Sequence, residues 1–348
     1  MKKYDVIIVG AGPAGLSTAI NLYDRGCKNI LVIEKYKFPR YKCCAGYITN
    51  KTKKYYEKLG LDISKCHYSL IKDFNIMYNK DVVQRIDNKF LYTNKKIDRV
   101  ELDNKFYKLA VSKGINVIQS CSIVKHNVDK NEIECSDGSK YKYKYLVFAD
   151  GTMGFSSKYQ DNKKRNIALQ IIVKKDLGEK IDIHFGITKK GYGWVSSYDG
   201  ITNIGLTDVY DEKKNYKEIM LKFLNDLDIE VDSNNLTGAF TPIGKRKAII
   251  NDNVYFVGDA VGACDPLTLS GLRYGLVTGE ECAKSIVSGN NKTYIRYINK
   301  MHIKFKFMIL MQKIFYLKST MFLIFRIGCR YFGWLISYVF NNFFVNKK

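Results

Sequence analysis

The chain has 348 residues, 46% of them hydrophobic, enough for a large buried core and too apolar for an intrinsically disordered protein. Its formal net charge of +23 comes from 57 Lys and Arg against 34 Asp and Glu, a surplus that points to an anionic partner. The nine cysteines are odd in number and include no CxxC pair, and the four histidines show no ligand spacing. Neither a metal site nor a disulfide framework is expected, and a reducing cytoplasm fits.

In chain order, Tyr4 to Val9 predicts a strand that turns at Gly10-Ala11-Gly12-Pro13-Ala14-Gly15 into a helix over about 14–25. A strand starting at Tyr4 predicts no signal peptide. Ile30 to Glu34 reads as a second, parallel strand, and 36–50 as a loop rich in Lys, Cys and Gly. A helix is expected over 52–60, strands within 67–95, a helix over 98–113 and a strand at Asn116-Val117-Ile118. Asp137-Gly138 marks a hairpin leading into a strand at 145–149. Residues 165–245 alternate in strand fashion with turns at Gly186, Gly200 and Gly205, predicting an antiparallel sheet. Val254-Tyr255-Phe256-Val257 is a strand running into Gly258-Asp259-Ala260, and a helix begins near Gly271. The fold class is α/β, in part α+β.

The tail from 291 to 348 differs from the rest. After Glu281 no acid occurs in 67 residues, which carry twelve Lys or Arg. Apolar clusters at Met308 to Met311, Met321 to Phe325 and Tyr331 to Ile336 alternate with these cations. The longest uncharged run, 331–346, is 16 residues, short of the ~20 a spanning helix needs. A helical segment lying on an anionic membrane surface is expected, with a cap over the protein's own cavity or a true span as the other readings. No nucleic-acid motif accompanies the charge.

Strand, glycines, helix and acid occur in the order that binds a dinucleotide. Gly10 permits the tight turn, Gly12 lets backbone approach phosphate, and Gly15 lets the helix pack on the strand. The helix beginning at Pro13 and Ala14 aims its amides and dipole at the pyrophosphate. Glu34, nineteen residues after Gly15, is placed for the ribose hydroxyls. A second glycine turn at Gly258, with Asp259 beside it, suggests one long cofactor held along its length, FAD; a helix N-cap is the plainer role for Asp259.

Further segments complete a set: Lys42-Cys43-Cys44-Ala45-Gly46, Ile97 to Asp103, Leu146-Val147-Phe148-Ala149-Asp150-Gly151, Gly191-Tyr192-Gly193-Trp194-Val195, Gly258 to Gly262, Asp265 to Thr268 and Gly271 to Leu276. Over about residues 1–290 the chain resembles the geranylgeranyl reductase family of FAD-dependent oxidoreductases, on the p-hydroxybenzoate-hydroxylase-like fold. It departs from that pattern at Ser196-Ser197, where a proline is usual, at Leu269-Ser270-Gly271, where glycine-acid-glycine is usual, and at Met153-Gly154, where a serine is common.

The resemblance implies a discontinuous FAD-binding domain (1–60, 97–160, 245–290), a substrate domain (61–96, 161–244) and a helical segment (291–348). It implies that Lys35, Arg40, Cys44, Ala45, Gly46, Arg99, Ala149, Asp150, Gly151, Gly271 and Leu272 join Gly10 to Gly15, Glu34, Gly258 and Asp259 around FAD. Cys44 is the candidate catalytic residue, and Tyr192 and Trp194 the prenyl-facing aromatics; space filling and sheet core are their plainer roles. The implied reaction is hydride transfer from reduced FAD to a prenyl double bond, with electrons from NAD(P)H or an acidic ferredoxin-like carrier. An FAD monooxygenase of hydrophobic substrates and a non-enzymatic, flavin-bearing membrane protein are the alternatives. The expected location is peripheral, on the cytoplasmic face of the membrane.

Overall fold

The computed structural model describes residues 1–70, 73–86, 95–97, 99–329 and 333–334. Among them the strands form three sheets. The first contains β1 (Lys2–Val9), β2 (Ile30–Ile33), β8 (Asn116–Ile118), β9 (Ile123–Asn127), β10 (Glu132–Cys135), β11 (Lys140–Phe148), β17 (Ile249–Ile250) and β18 (Val254–Phe256). Its centre, β18-β11-β1-β2-β8, is parallel throughout, while β10 pairs antiparallel with β11 and β9 antiparallel with β10. Val6 to Val9 and Ile30 to Ile33 are unbroken apolar runs, all buried, because both faces of this sheet are covered.

The helices that frame it are α1 (Pro13–Asp24), α2 (Asn50–Lys58), α3 (Arg99–Ser112) and, after α4 (Tyr216–Asn225), α5 (Leu272–Ser288). Helices α1 and α5 cross closely. A Cβ on Gly279 would stand 2.7 Å from the Ala14 carbonyl oxygen, so only glycine allows the approach. Ser17 Oγ donates to the Leu276 carbonyl at 2.7 Å across the same contact. Residues more than 250 apart are thereby fastened together, which brings the first and second glycine turns side by side.

The second sheet has the order β16 (Thr237–Pro242), β12 (Arg165–Val173), β15 (Ile201–Val209), β14 (Gly193–Tyr198), β13 (Lys180–Phe185), β5 (Asp73–Tyr78), β6 (Asp81–Ile86). It departs from the antiparallel expectation at one pairing, since β13 and β5 run parallel. It also carries α4, which the strand-like reading of 165–245 missed. Met220, Phe223 and Leu224 of α4 fill one face against Ile171, Val195, Ile204 and Leu206. Gly205 is not a turn. It lies inside β15 opposite Trp194, where a Cβ would come within 2.1 Å of the indole. A third, small sheet joins β3 (Tyr47–Ile48), β7 (Lys95–Ile97) and β4 (Tyr68–Leu70), with β3 rising from the expected 36–50 loop. Residues 71–72 and 87–94 of the predicted strand region lie outside the described residues.

Beyond α5 come α6 (Asn291–Phe315) and α7 (Lys318–Phe322), the latter running on as a π-helical turn over Leu323–Gly328. The axis bends by 80° between α6 and α7. The inner side of α6 places Tyr294, Ile298, Met301 and Phe305 in the core of the first sheet. Met321, Phe325 and Cys329 pack instead on Phe74, Ile76 and Ile181 of the second sheet. Apart from Gly333 and Trp334, the uncharged run 331–346 lies outside the described residues.

Candidate functional site

At the nucleotide end, β1 delivers Gly10 with φ +101°, a conformation L side chains rarely adopt. A Cβ on Gly15 would sit 1.9 Å from the Gly10 carbonyl oxygen, so the helix can rise from the strand only with glycine there. Gly12 is different: its nearest neighbour for an added Cβ is Arg40 Nη2 at 3.8 Å, leaving open space where a phosphate would lie. Pro13 opens α1 and Ala14 faces α5. Glu34, buried at the end of β2, accepts from the Ala11 amide at 2.8 Å and the Tyr36 amide at 3.1 Å. Lys35 is exposed, with its charge close enough to Asp150 to favour that carboxylate.

Two arginines line the passage from this turn inward. Arg40 lies 3.7 Å from Glu34 and 3.6 Å from Asp103, while its buried Nε has no hydrogen-bond partner. Arg99 is clamped on Asp103, with contacts of 2.9 to 3.2 Å. Its guanidinium thus shares Asp103 with Arg40, and its charge also reaches Asp259 at the second glycine turn. Ala149 packs under the first turn, where its carbonyl oxygen would lie 2.5 Å from a Gly10 Cβ, and Gly151 adopts φ +81°. Asp150 turns its carboxylate onto Ser156, accepting from the amide at 2.8 Å and Oγ at 2.5 Å. Ser156, a few residues past Met153-Gly154, is thus the hydroxyl that Asp150 holds.

The second turn places Asp259 beneath the N-terminus of α5. Gly258 donates its amide to Thr278 Oγ1 at 3.0 Å, and a Cβ on Gly271 would meet Asp259 Oδ1 at 3.3 Å. Gly271 caps α5 and Leu272 opens it, so the helix dipole points at this spot. Burial raises the Asp259 pKa, and the charges of Lys42, Arg246 and Arg99 oppose that rise. Arg246, unforeseen in the sequence, donates to the Thr152 and Asp259 carbonyls at 3.3 Å each, and its buried Nε has no partner. Burial lowers its pKa. Buried cation donors left unmet, an open Gly12 and a carboxylate at the second turn fit a dinucleotide of FAD's length and charge.

The end of the site that carries Cys44 is aromatic. Cys44 Sγ accepts from the Gly46 amide at 3.4 Å, and Gly46 needs φ +80° to bend the loop, with Ala45 between them. Cys44 is close enough to interact electrostatically with Arg99, Tyr47, Tyr56 and Tyr192. Burial raises the pKa of all three phenols, keeping them protonated. Tyr192 donates to the Thr268 carbonyl at 3.0 Å. Trp194 donates Nε1–H to Asn203 Oδ1 at 2.9 Å, with its ring 6.4 Å from that of Tyr192. Strand alternation puts Trp194 on the face opposite Val195, away from α4. Beyond Tyr192 an aromatic path continues through Phe185 to Phe315 and Phe325 of the C-terminal helices.

Tyr47, Tyr56 and Cys264 join the site without a sequence signal. Cys264 is fully buried beside Asp259 and Asp265, which with burial push its pKa well up. Cys43 is half-buried, and desolvation pushes its thiol up to about 12. Among the described residues, two cysteines also form an unforeseen cluster beside the β10–β11 hairpin, where Cys121, Cys135 and Asp137 bring their ligand atoms within 4.8 Å.

Residues 4–178 match the pyridine nucleotide-disulphide oxidoreductase family. The chain is 27% identical to a digeranylgeranylglycerophospholipid reductase of Methanococcus vannielii, covering 83% of this chain and 79% of that protein. It is 25% identical to a menaquinone reductase of Mycolicibacterium smegmatis, covering 84% and 78%. A geranylgeranyl bacteriochlorophyll reductase-like structure from Thermoplasma acidophilum superposes with a TM-score of 0.75 over 91% of this chain and 87% of its own, at 19% identity. The chain belongs to the pyridine nucleotide-disulphide oxidoreductase family and is an FAD-dependent oxidoreductase of the geranylgeranyl reductase type.

Proposed function

We propose that this oxidoreductase saturates carbon–carbon double bonds of a polyprenyl, geranylgeranyl-type lipid. One observation carries the reading. The Cys44 loop and the buried phenols of Tyr47, Tyr56 and Tyr192 converge between the second glycine turn and an apolar region walled by aromatics. The two named relatives act, by their names, on a digeranylgeranyl glycerophospholipid and on menaquinone. An aromatic-walled site suits an extended prenyl chain of either.

Gly12, Glu34, Arg40, Arg246, Asp259 and the N-terminus of α5 are the residues that would hold FAD. Bound in its reduced form, FAD supplies a hydride to one alkene carbon, and a proton must reach the other. An isolated alkene is not polarised, so the proton source must stand beside it. Cys44 is suited to that task, because the bond its sulfur accepts from Gly46 does not consume the thiol proton. Tyr192 commits its proton to Thr268 and acts as a wall, setting with Trp194 the position of the chain. Met321, Phe315 and Phe325 exclude water from the far side. The two electrons come from NAD(P)H or an acidic ferredoxin-like carrier, the latter suited to the +23 charge.

The test is product analysis under argon. The protein is reduced with dithionite and incubated separately with geranylgeranylated glycerophospholipid and with menaquinone. Product that gains one hydride and one proton per double bond supports the reading. Substrate that changes only when air is admitted, and then gains oxygen, replaces it with a monooxygenase.

A further inference from the structure

The C-terminal helices have two apolar faces, and only one is accounted for by the protein's own core. On α6 the inward positions Tyr294, Ile298, Met301, His302, Phe305 and Gln312 are buried. His302 Nε2–H donates to the Val261 carbonyl at 2.8 Å and Gln312 to the Pro266 carbonyl at 3.1 Å, pinning that face to the second glycine turn. Ile303, Phe307, Leu310, Met311 and Ile314 recur at helical spacing on the opposite face. Ile303 is 71% exposed, Phe307 63% and Leu310 54%. At 3.6 residues per turn, Lys306 and Lys313 fall along one flank of this stripe, and Lys300 and Lys304 along the other. Leu317, Phe322, Leu323 and Ile327 extend the exposed apolar surface past the bend, and Trp334 is 72% exposed.

We propose that this outward stripe lies in the interface of an anionic bilayer, and that the inward faces of α7 and the π-helical turn form the door by which a lipid passes from that bilayer to the site. Flanking lysines with no acid after Glu281 match anionic headgroups, and the apolar row between them matches the acyl boundary. The helix lies in the plane of the membrane, because its inner face is fastened to the core and cannot be surrounded by lipid. Among the described residues no single helix is long and apolar enough to cross. The door side is continuous with the site: Met321 and Phe325 belong to one cluster with Tyr47, Phe185 and Tyr316. Tyr316 is close enough to Tyr192 to raise its pKa further beyond the effect of burial. Arg326 pins the turn to β6 through Asp81 at 2.9 Å, an exposed ion pair for which an anionic headgroup competes.

The door rests on the lipid-reductase reading, but the bilayer contact does not. The full-length, FAD-loaded protein is floated with phosphatidylglycerol vesicles and with phosphatidylcholine vesicles, alongside the triple variant Ile303→Asp, Phe307→Asp, Leu310→Asp. Wild type binds the anionic vesicles in a salt-sensitive manner. The variant keeps its flavin and loses binding roughly a hundredfold, several-fold or more per side chain. Of the two tryptophans, Trp194 is buried at 6% exposure, so a fluorescence blue shift on vesicle addition reports Trp334 and vanishes in Trp334→Phe. With prenyl lipid as substrate, the variant loses turnover from vesicles and retains it from detergent micelles. Unchanged flotation of the variant overturns the proposal. So does a wild-type dimer that the variant breaks without any vesicle binding, since the stripe then covers a second copy. Equal loss from vesicles and micelles overturns the door. Vesicle binding with no prenyl reduction by wild type keeps the surface and removes the reductase reading.

Discussion

At the nucleotide end of the molecule, position is set by backbone atoms at or inside van der Waals distance. At the end that carries Cys44 it is set by side chains packed from three separate stretches of chain. Gly15 would bring a Cβ within 1.9 Å of a carbonyl oxygen, and Gly279 within 2.7 Å of another, so neither tolerates even a methyl group. Cys44, Tyr47, Tyr192, Trp194 and Phe325 instead meet through rings and a thiol that can shift by rotamer changes. The first kind of construction holds one cofactor in one pose. The second kind leaves room for side chains to repack on a shared flavin frame.

Substitutions break this comparison most sharply at the nucleotide end. Gly15→Ala is expected to abolish retention of flavin and to cost about 3 kcal/mol or more of stability, read by flavin absorbance and thermal unfolding. Glu34→Ala removes an acceptor that bridges the Ala11 and Tyr36 amides. It should weaken FAD binding about 10- to 100-fold in a fluorescence titration, while the apoprotein still folds. At the end that carries Cys44 the expected pattern reverses: Tyr192→Phe frees the Thr268 carbonyl, keeps the flavin, and lowers turnover on prenyl lipid about tenfold. Cys44→Ala should do the same, with the loss in kcat rather than in flavin content.

A smaller effect comes from pH. Burial lowers the pKa of His184 in the second sheet to about 4, and that of His126 in the first to about 4 as well. Above the ordinary value of 6.5 both states are neutral and nothing is lost. As pH falls from 6.5 towards 4, the unfolded chain takes up protons that the folded one refuses, so stability drops across that window. For His184, the more buried of the two, the loss is on the order of 2 kcal/mol. His184→Leu should flatten its share of the slope in denaturant titrations at successive pH values.

The same contrast explains what the sequence disclosed. Backbone-determined features leave local signatures, so Gly10, Gly12, Gly15, Glu34, Gly258 and Gly271 were legible with the strands and helices that carry them. Ser156 was not, because a hydroxyl reaching Asp150 can come from any of several loop positions. Arg246 was hidden for a similar reason: a cation between Lys245 and Lys247 looks like part of a solvated basic run, yet it is buried. Helix α4 was submerged in the alternation of its neighbours, since Met220, Phe223 and Leu224 give only one short apolar face. Gly205 looked like a turn because glycine usually marks one; the indole of Trp194 across the strand pair is the real reason for it. Arg99 and Asp103 stand four residues apart on one helix, so their pairing is a local i,i+4 contact that helical spacing makes legible, whereas Arg40 joins them only through the fold.

The most direct measurement is a single anaerobic turnover. The dithionite-reduced holoprotein is mixed with geranylgeranylated glycerophospholipid in a stopped-flow instrument, and the flavin absorbance is followed for wild type and Cys44→Ala. Reoxidation of the wild-type flavin in the absence of oxygen, matched by saturated product and much slower in the variant, is the predicted result. A flavin that remains reduced with lipid present and reoxidises only when air enters would contradict the account.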